Sequence, residues 1–160
     1  PISPDVTPDG WTFHPLADDR FAVIAGPQHP LRKEKAVSID MLAQETWLAL
    51  PPDSQANDLF ESLYKNKAVL PNLRLISGRV PAMLWSMLAS EPLVTLVPAS
   101  VTQQYVEAGL LVELNLDQKL PFKPQGLLRP TTRSGEATNK LALFLEVYCS
   151  KHLAKQGARI

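Results

Sequence analysis

The chain contains 160 residues, of which 45% are hydrophobic and 20% are charged, and its 16 basic and 16 acidic residues cancel. This composition is typical of a globular domain and disfavours a basic nucleic-acid surface, an acidic tail and a transmembrane span. The first residues lack the basic and apolar regions of a signal peptide, and the single cysteine, Cys149, excludes an internal disulfide framework and agrees with a reducing, cytoplasmic compartment.

Short apolar and amphipathic segments alternate along the chain, and most of its 15 prolines fall between them. Pro1–Pro15 has no clear period, whereas Arg20–Gly26 is an uninterrupted apolar run typical of a strand buried on both faces. Further strands are predicted at Trp47–Leu50, Leu73–Ile76, Leu93–Val97, Leu110–Leu116 and Gly126–Arg129. Helices are predicted after Ser38 or Asp40, after Ser54, from Pro81 to the break at Glu91-Pro92, from Ser100 to a terminal glycine at Gly109, and from Ser134. This alternation predicts an α/β sheet with helices on both faces.

The predicted sheet is organised around the stretch Ser77–Ser100. A polar corner of Ser77, Gly78 and Arg79 follows one strand and precedes a helix, and the next strand ends at Pro98 before another helix. Because helix N-termini present free N–H groups and a partial positive charge, strand ends of this kind line a ligand crevice in α/β sheets. No nucleophile with a paired base lies in this stretch, which predicts a binding site and not a reaction centre. Arg79 is either the partner of an anion or a solvated loop residue.

The sequence contains no convincing motif for catalysis or metal binding. His29 lies on a turn between prolines without a second ligand at metal-binding spacing, and no G-x-S-x-G motif is present. Cys149 is interpreted as an inert thiol, and Gly78 alone cannot form a phosphate loop. We therefore expect no catalytic residue, no metal ligand and no cofactor.

The helix that begins at Pro81 carries an apolar stripe. Its members are interpreted as core residues: Met83, Leu84, Met87 and Leu88. Trp85 points away from this stripe at helical spacing, which leaves two alternatives for it, an interface position or a partly buried surface position.

An ordered set of local motifs gives the sequence a resemblance to a known family. An acidic turn, an apolar strand, a His-Pro-Leu turn, a short helix and a tryptophan-containing strand follow one another, with matching positions at Leu16, Asp18, Phe21–Ala25, His29-Pro30-Leu31, Val37-Ser38-Ile39, Leu42 and Trp47. The pattern continues through Ser77, the helix to Ala89, Leu93–Pro98 and Val106–Leu114. This order resembles the effector-binding domain of LysR-type transcriptional regulators, with Glu91-Pro92 standing where that family commonly has a glycine-rich turn.

The resemblance implies an α/β, periplasmic-binding-protein-like type 2 fold, in which a second lobe is inserted into the first. On this pattern, residues 17–126 form a complete inserted lobe, and residues 1–16 and 127–160 are the remnant of an incomplete first lobe. The family's winged helix–turn–helix, its linker helix and the first βαβ portion of the effector domain have no counterpart in the sequence. The chain is therefore interpreted as a piece of a regulator truncated on its N-terminal side.

The resemblance also implies a function, the sensing of a small-molecule effector, often an organic acid, that binds between the two lobes. The inserted lobe is expected to contribute Ser77, Gly78, Arg79, Val97 and Pro98, with Ile24 and Ala25 as weaker candidates. The regulator is expected to be a homodimer or tetramer that contacts DNA only through a domain outside this chain and does not bind membranes. The alternative is a solute-binding protein of a transport system with the same two-lobe fold. An enzyme would require a paired acid and base in the cleft.

An incomplete first lobe has a physical consequence for the C-terminal helix. Its apolar residues Leu141, Phe144, Leu145 and Tyr148 recur at helical spacing and would lose the sheet that normally covers such a face. We expect this face to be covered by another copy or by a rearranged segment, or the helix to be poorly ordered.

Overall fold

The structure is a computed structural model that describes residues 7–75, 80–132 and 135–152. These residues form two compact units, one comprising Arg20–Leu120 and the other joining the segment up to Asp19 to the segment from Pro121. In chain order the strands are β1 (Trp11–Ala17), β2 (Arg20–Ala25), β3 (Thr46–Leu48), β4 (Asn72–Arg74), β5 (Leu93–Pro98), β6 (Val112–Glu113), β7 (Leu120–Pro121) and β8 (Gln125–Pro130). The α-helices are α1 (Ile39–Leu42), α2 (Gln55–Tyr64), α3 (Pro81–Ser90), α4 (Ala99–Glu107) and α5 (Glu136–His152).

The unit Arg20–Leu120 is built on a mixed sheet with the strand order β4-β3-β5-β2-β6. Strand β3 runs parallel to both β4 and β5, with Trp47 opposite Leu73 on one side and Val94 on the other. Strand β2 runs antiparallel to β5 and β6. The three parallel strands therefore end at the same edge of the sheet, and each of them leads to a helix, α2 after β3, α3 after β4 and α4 after β5.

Helices cover both faces of this sheet, as the sequence predicted. On one face, α3 and α4 pack on a buried cluster composed of Ala22, Ile24, Leu48, Trp85, Leu88, Leu93 and Leu111. On the other face, Trp47 makes edge-on ring contacts with Phe60 and Tyr64 of α2, and its indole N–H donates to the Leu42 carbonyl at 2.9 Å. Burial of each large apolar side chain contributes roughly 1.5–3 kcal/mol relative to exposure. These two layers hold the parallel strand ends in place.

Most of the predicted element boundaries are confirmed, and the caps explain them. Ser38 and Ser54 accept backbone N–H bonds at the N-termini of α1 and α2, and Gly109 takes the left-handed conformation just after α4, with φ of 72°. The prediction of Ser100 as the cap of α4 is wrong, because that position is Pro98 and no side-chain bond caps the helix. The predicted start of α5 at Ser134 lies outside the described residues. The predicted strand Leu110–Leu116 is reduced to the two residues of β6.

The tryptophan of α3 belongs to the core, contrary to the expectation. Trp85 is buried and its ring lies 5.7 Å from that of Tyr105, whereas Met83 is exposed. The helix therefore packs with Trp85 and Leu88 innermost and Leu84 and Met87 at the margins. The spacing of apolar residues mispredicted which side of α3 faces the core. Apolar residues surround most of the helix, so their spacing does not select one face.

The second unit consists of a two-stranded antiparallel sheet, β1 with β8, and helix α5. Strand β1 falls partly within the proline-rich segment for which no period was found. Pro15 is tolerated because each strand of this sheet has a single neighbour among the described residues. At Gly126, an added Cβ would lie 2.2 Å from the carbonyl oxygen of His14, so only glycine permits this close pairing. Helix α5 packs against β1 with Ala142 buried.

Helix α5 is continuous over its 17 residues, and several of its large apolar side chains are exposed. Leu141, Phe144 and Tyr148 are exposed, as are Leu143 and Val147, which were not predicted to belong to this face. Leu145 is half-buried, so its assignment to the exposed face is wrong. No described residue of the chain folds over this surface. Coverage of this face by another copy or by a rearranged segment stays a prediction, and the described helix is regular over Glu136–His152.

Candidate functional site

The carboxyl edge of the parallel strands is the part of the unit Arg20–Leu120 where three helices begin. Three helices start from this edge, and the first turn of each leaves backbone N–H groups without helical partners. The exits of β3 and β4 are tied together because the Ala49 N–H donates to the Arg74 carbonyl at 2.9 Å. The side chain of Arg74 in turn forms an ion pair with Glu91, at the end of α3. A backbone bond therefore joins the exits of β3 and β4, and the ion pair connects β4 to the segment that enters β5.

The residues predicted for the site are placed only in part. Ser77, Gly78 and Arg79 lie outside the described residues. Val97 and Pro98 are half-buried at the end of β5, where they pair with Ala22 and Phe21 of β2. Pro98 also precedes the first residue of α4, so the pair lies at one of the three strand exits.

The two weaker candidates do not reach a ligand from this position. Ile24 and Ala25 have no accessible surface, and Ile24 belongs to the cluster beneath α3 and α4. Strand β2 has neighbours on both sides and helices over its faces, so its side chains are enclosed. The expectation that they border the cleft is wrong for the side chains.

The turn that follows β3 belongs to the same edge and was not singled out from the sequence. Asp53 has φ of 59°, the one positive value among described residues other than glycine. Next to it, Ser54 accepts the Asn57 N–H at 3.2 Å and donates its hydroxyl to the Pro51 carbonyl at 2.6 Å. The signal available in the sequence is the Pro-Pro-Asp-Ser run, which combines turn residues with a helix cap.

His29 has a structural role beneath the end of α3. Its Nδ1 accepts the Leu31 N–H at 3.3 Å, which makes it the cap of the 3-10 turn Pro30–Lys33. Its Nε2 has no hydrogen bond and lies 3.5 Å from a carboxylate oxygen of Glu45. Burial lowers the pKa of His29, and the negative charge of Glu45 opposes this shift. Burial therefore favours the neutral form of the imidazole.

The described part of the chain contains no cluster of three or more His, Cys, Asp or Glu side chains that could bind a metal ion. None of its helices combines the length and the apolar character needed to cross a membrane.

The LysR substrate binding domain family matches residues 2–148 of this sequence. The chain belongs to this family. The resemblance inferred from the ordered motifs is therefore confirmed, and it extends over both compact units. The family is one of transcriptional regulators, a class of protein that does not act by catalysis.

A curated relative supports this assignment. The HTH-type transcriptional regulator MetR of Escherichia coli strain K12 is 24% identical over 120 residues, which are 74% of this chain. The chain spans 37% of the length of that relative.

Solved structures of similar regulatory domains confirm the predicted fold. The regulatory domain of CcmR from Synechocystis PCC6803, in complex with 2-PG, superimposes with a TM-score of 0.75 at 17% identity, covering 94% of this chain and 73% of that one. The effector-binding domain of QuiR, in complex with shikimate, gives a TM-score of 0.67 at 16% identity, with 90% and 68% covered. The chain is thus a periplasmic-binding-protein-like LysR regulatory domain.

Proposed function

We propose that this chain is the effector-sensing part of a LysR-type transcriptional regulator. The observation that carries the proposal is the family match over residues 2–148, on a fold whose parallel strands lead to three helix N-termini at one edge. The transport alternative is less favoured, because the curated relative is an HTH-type regulator and the similar structures are regulatory domains.

The proposed binding groups lie on the inserted lobe, residues 17–126, and residues 1–16 and 127–160 are assigned to the first lobe. Ser77 supplies a hydroxyl to the effector, Gly78 allows its backbone to approach an anion, and Arg79 pairs with the negative charge. Val97 and Pro98 form an apolar wall beside them. This assignment is supported by the half-buried position of Val97 and Pro98 at a strand exit.

The effector class that suits these groups is a small organic acid. Support comes from two similar domains, which bind shikimate and 2-PG. Free backbone N–H groups at the strand exits and one guanidinium favour an anionic ligand. The effector shifts the arrangement of the regulator by its differential affinity for two states, on the order of 1–3 kcal/mol.

In the whole regulator, this domain acts with a DNA-binding domain outside the chain, in a cytoplasmic homodimer or tetramer without catalytic activity. DNA recognition belongs to that other domain, since this chain has no net positive charge.

The proposal is tested by titrating the full-length regulator with a panel of organic acids that includes shikimate and 2-PG, and by following the strongest binder with calorimetry. Loss of a hydrogen bond to a charged group costs about 1.5–3 kcal/mol, so Arg79→Ala is expected to raise Kd roughly 10- to 100-fold. Ser77→Ala is expected to raise it less. Arg32→Ala, on the exposed turn Pro30–Lys33, is the matched control and leaves Kd unchanged. Unchanged affinity in both site variants would remove the assignment.

A further inference from the structure

His29 lies at the edge of the sheet opposite to the three helix starts. Strand β2 runs antiparallel to β5, so its last residue, Ala25, pairs with Val94 at the beginning of β5. The turn that follows is closed by the His29 N–H, which donates to the Gly26 carbonyl at 3.0 Å. The side chain of His29 has no exposed surface. The imidazole is therefore a buried titratable group away from the proposed effector site.

The two ring nitrogens of His29 have different environments. Nδ1 accepts the Leu31 N–H and so caps the turn Pro30–Lys33. A ring nitrogen that accepts a hydrogen bond carries no proton, so the proton of the neutral ring is on Nε2. Nε2 lies 3.5 Å from a carboxylate oxygen of Glu45 and forms no hydrogen bond with a described residue. A second proton must therefore be added at Nδ1, the atom that caps the turn.

The protonated ring cannot keep the cap. An imidazolium has two N–H donors and no acceptor, so its Nδ1–H and the Leu31 N–H would meet as two donors. The same proton gives the ring a positive charge that attracts Glu45, whose side chain is 23% exposed. Charges inside proteins are retained when they are paired. The neutral ring thus stabilises a capped turn, and the charged ring stabilises an uncapped turn with an ion pair to Glu45.

The other charged groups near His29 leave Glu45 as its electrostatic partner. Glu91, at the end of α3, lines the same cleft as His29, but its carboxylate forms an ion pair with Arg74. The charged residues of the turn and its C-cap are exposed: Arg32, Lys33 and Glu34. Burial lowers the pKa of His29, and the smaller effect of Glu45 raises it, so the charged form appears below pH 6.5.

The cleft beside His29 gives the turn room to rearrange. It has a volume of about 150 Å³ and is lined by Gln28, His29 and residues 88–92. A water molecule needs only about 10–15 Å³ of such space, so the cleft admits several waters. Water in the cleft supplies hydrogen-bond partners to backbone groups that the turn releases.

We propose that His29 is an acid-sensitive latch, which holds the turn Pro30–Lys33 closed while its ring is neutral and releases the turn when Nδ1 takes up a proton and the ring pairs with Glu45. The latch has two states, because one nitrogen cannot both accept the Leu31 N–H and carry a proton. The inference rests on the unit Arg20–Leu120 and does not depend on effector binding.

Nitrogen-15 NMR of the chain between pH 7.5 and 5.0 tests the latch. At pH 7.5 we expect an unprotonated Nδ1 and a Leu31 amide that is protected from hydrogen exchange. As the pH falls, the Leu31 protection factor is expected to drop by roughly 10-fold or more, with the same midpoint as the titration of the His29 ring. Three results overturn the proposal: a neutral ring that carries its proton on Nδ1, a Leu31 amide that stays protected after the ring has titrated, and a ring that stays neutral until the chain unfolds.

Two variants separate the cap from the charge. In His29→Asn, an amide oxygen replaces Nδ1 as the cap and cannot titrate, so the Leu31 protection factor is expected to be independent of pH. Glu45→Gln removes the partner of the imidazolium and is expected to move the His29 titration to lower pH. Glu34→Gln is the matched control, since its carboxylate is exposed beside the same turn, and it leaves the midpoint unchanged. Loss of Leu31 protection in acid in His29→Asn, or equal midpoints in Glu45→Gln and Glu34→Gln, overturns the proposal.

Discussion

The contact between Gly26 and the end of α3 provides the sharpest test of the packing. A Cβ placed on Gly26 would lie 1.9 Å from the carbonyl oxygen of Leu88, 2.8 Å from its carbonyl carbon and 3.2 Å from the Cα of Ala89. Carbon atoms pack at about 3.5–4.0 Å. The atoms in the way belong to the backbone, so no side chain can rotate to make room. Gly26→Ala therefore requires the end of α3 to retreat by about 1.5 Å.

The loss of stability depends on the contacts that this shift of the α3 end disturbs. Leu88 is almost completely buried in the cluster under α3 and α4, and the same end of the helix is tied to β4 by the ion pair between Arg74 and Glu91. Overpacking of a core commonly costs about 1–3 kcal/mol, and a backbone obstacle belongs at the upper end of that range. We expect Gly26→Ala to lower the free energy of unfolding by about 3 kcal/mol, a large share of the roughly 5–15 kcal/mol typical of a domain.

Urea unfolding followed by tryptophan fluorescence measures this effect. Trp47 and Trp85 are both buried in the unit Arg20–Leu120, so they report on its unfolding. Ser90→Ala is the control, since it alters the same helix end at an exposed hydroxyl without adding an atom. If Gly26→Ala and the parent chain unfold at the same urea concentration, the close approach of Gly26 to the Leu88 carbonyl is refuted. The position of α3 that depends on this contact is then refuted as well.

Three further changes probe single polar groups in the same unit. Tyr64→Phe removes a buried hydroxyl that has no hydrogen-bond partner, so it is expected to raise the free energy of unfolding by up to about 1–2 kcal/mol; a clear loss of stability would show that the hydroxyl has a partner. The pKa of His29 is lowered in the folded state, so the neutral side chain contributes fully to the free energy of unfolding above the unfolded pKa of 6.5. This contribution is lost as the pH falls from 6.5 toward the folded pKa, by at most about 1.4 kcal/mol per pH unit. In urea titrations between pH 7.5 and 5.5, His29→Gln should show a smaller decline than the parent chain, and parallel curves would contradict this assignment. Ser54→Ala removes the cap of α2 and is expected to cost about 1 kcal/mol in thermal unfolding, with the exposed Ser62→Ala as control; equal melting temperatures would exclude the capping role.

Local patterns predicted those parts of the fold that short-range physics controls. The apolar run of β2 and the breaks around α3 depend on residues close in sequence, and so do the caps Ser38, Ser54 and Gly109. Strand β1 escaped prediction because its pairing with β8 joins segments more than 100 residues apart, and Pro15 hides its pattern. The side of α3 that faces the core also depended on distant partners, since Trp85 packs on Tyr105 of α4.

For the candidate site, the sequence singled out the strand exit at Val97-Pro98 because an apolar strand followed by a helix start is a local signal. The burial of Ile24 and Ala25 was decided by strands on both sides of β2, and the shared edge of β3, β4 and β5 was decided by their parallel pairing. Neither can be derived from spacing along the chain.

By itself, the sequence determined the class of this protein, because an ordered series of short motifs is sufficient to identify a LysR regulatory domain. It also determined which segments become strands and helices, since hydrophobic period, caps and breaks act over a few residues. The tertiary structure alone decided which faces are enclosed, how near the end of α3 comes to Gly26, and which side chains of α5 are exposed. Those properties arise from contacts between segments far apart in the chain, where packing overrides local preference.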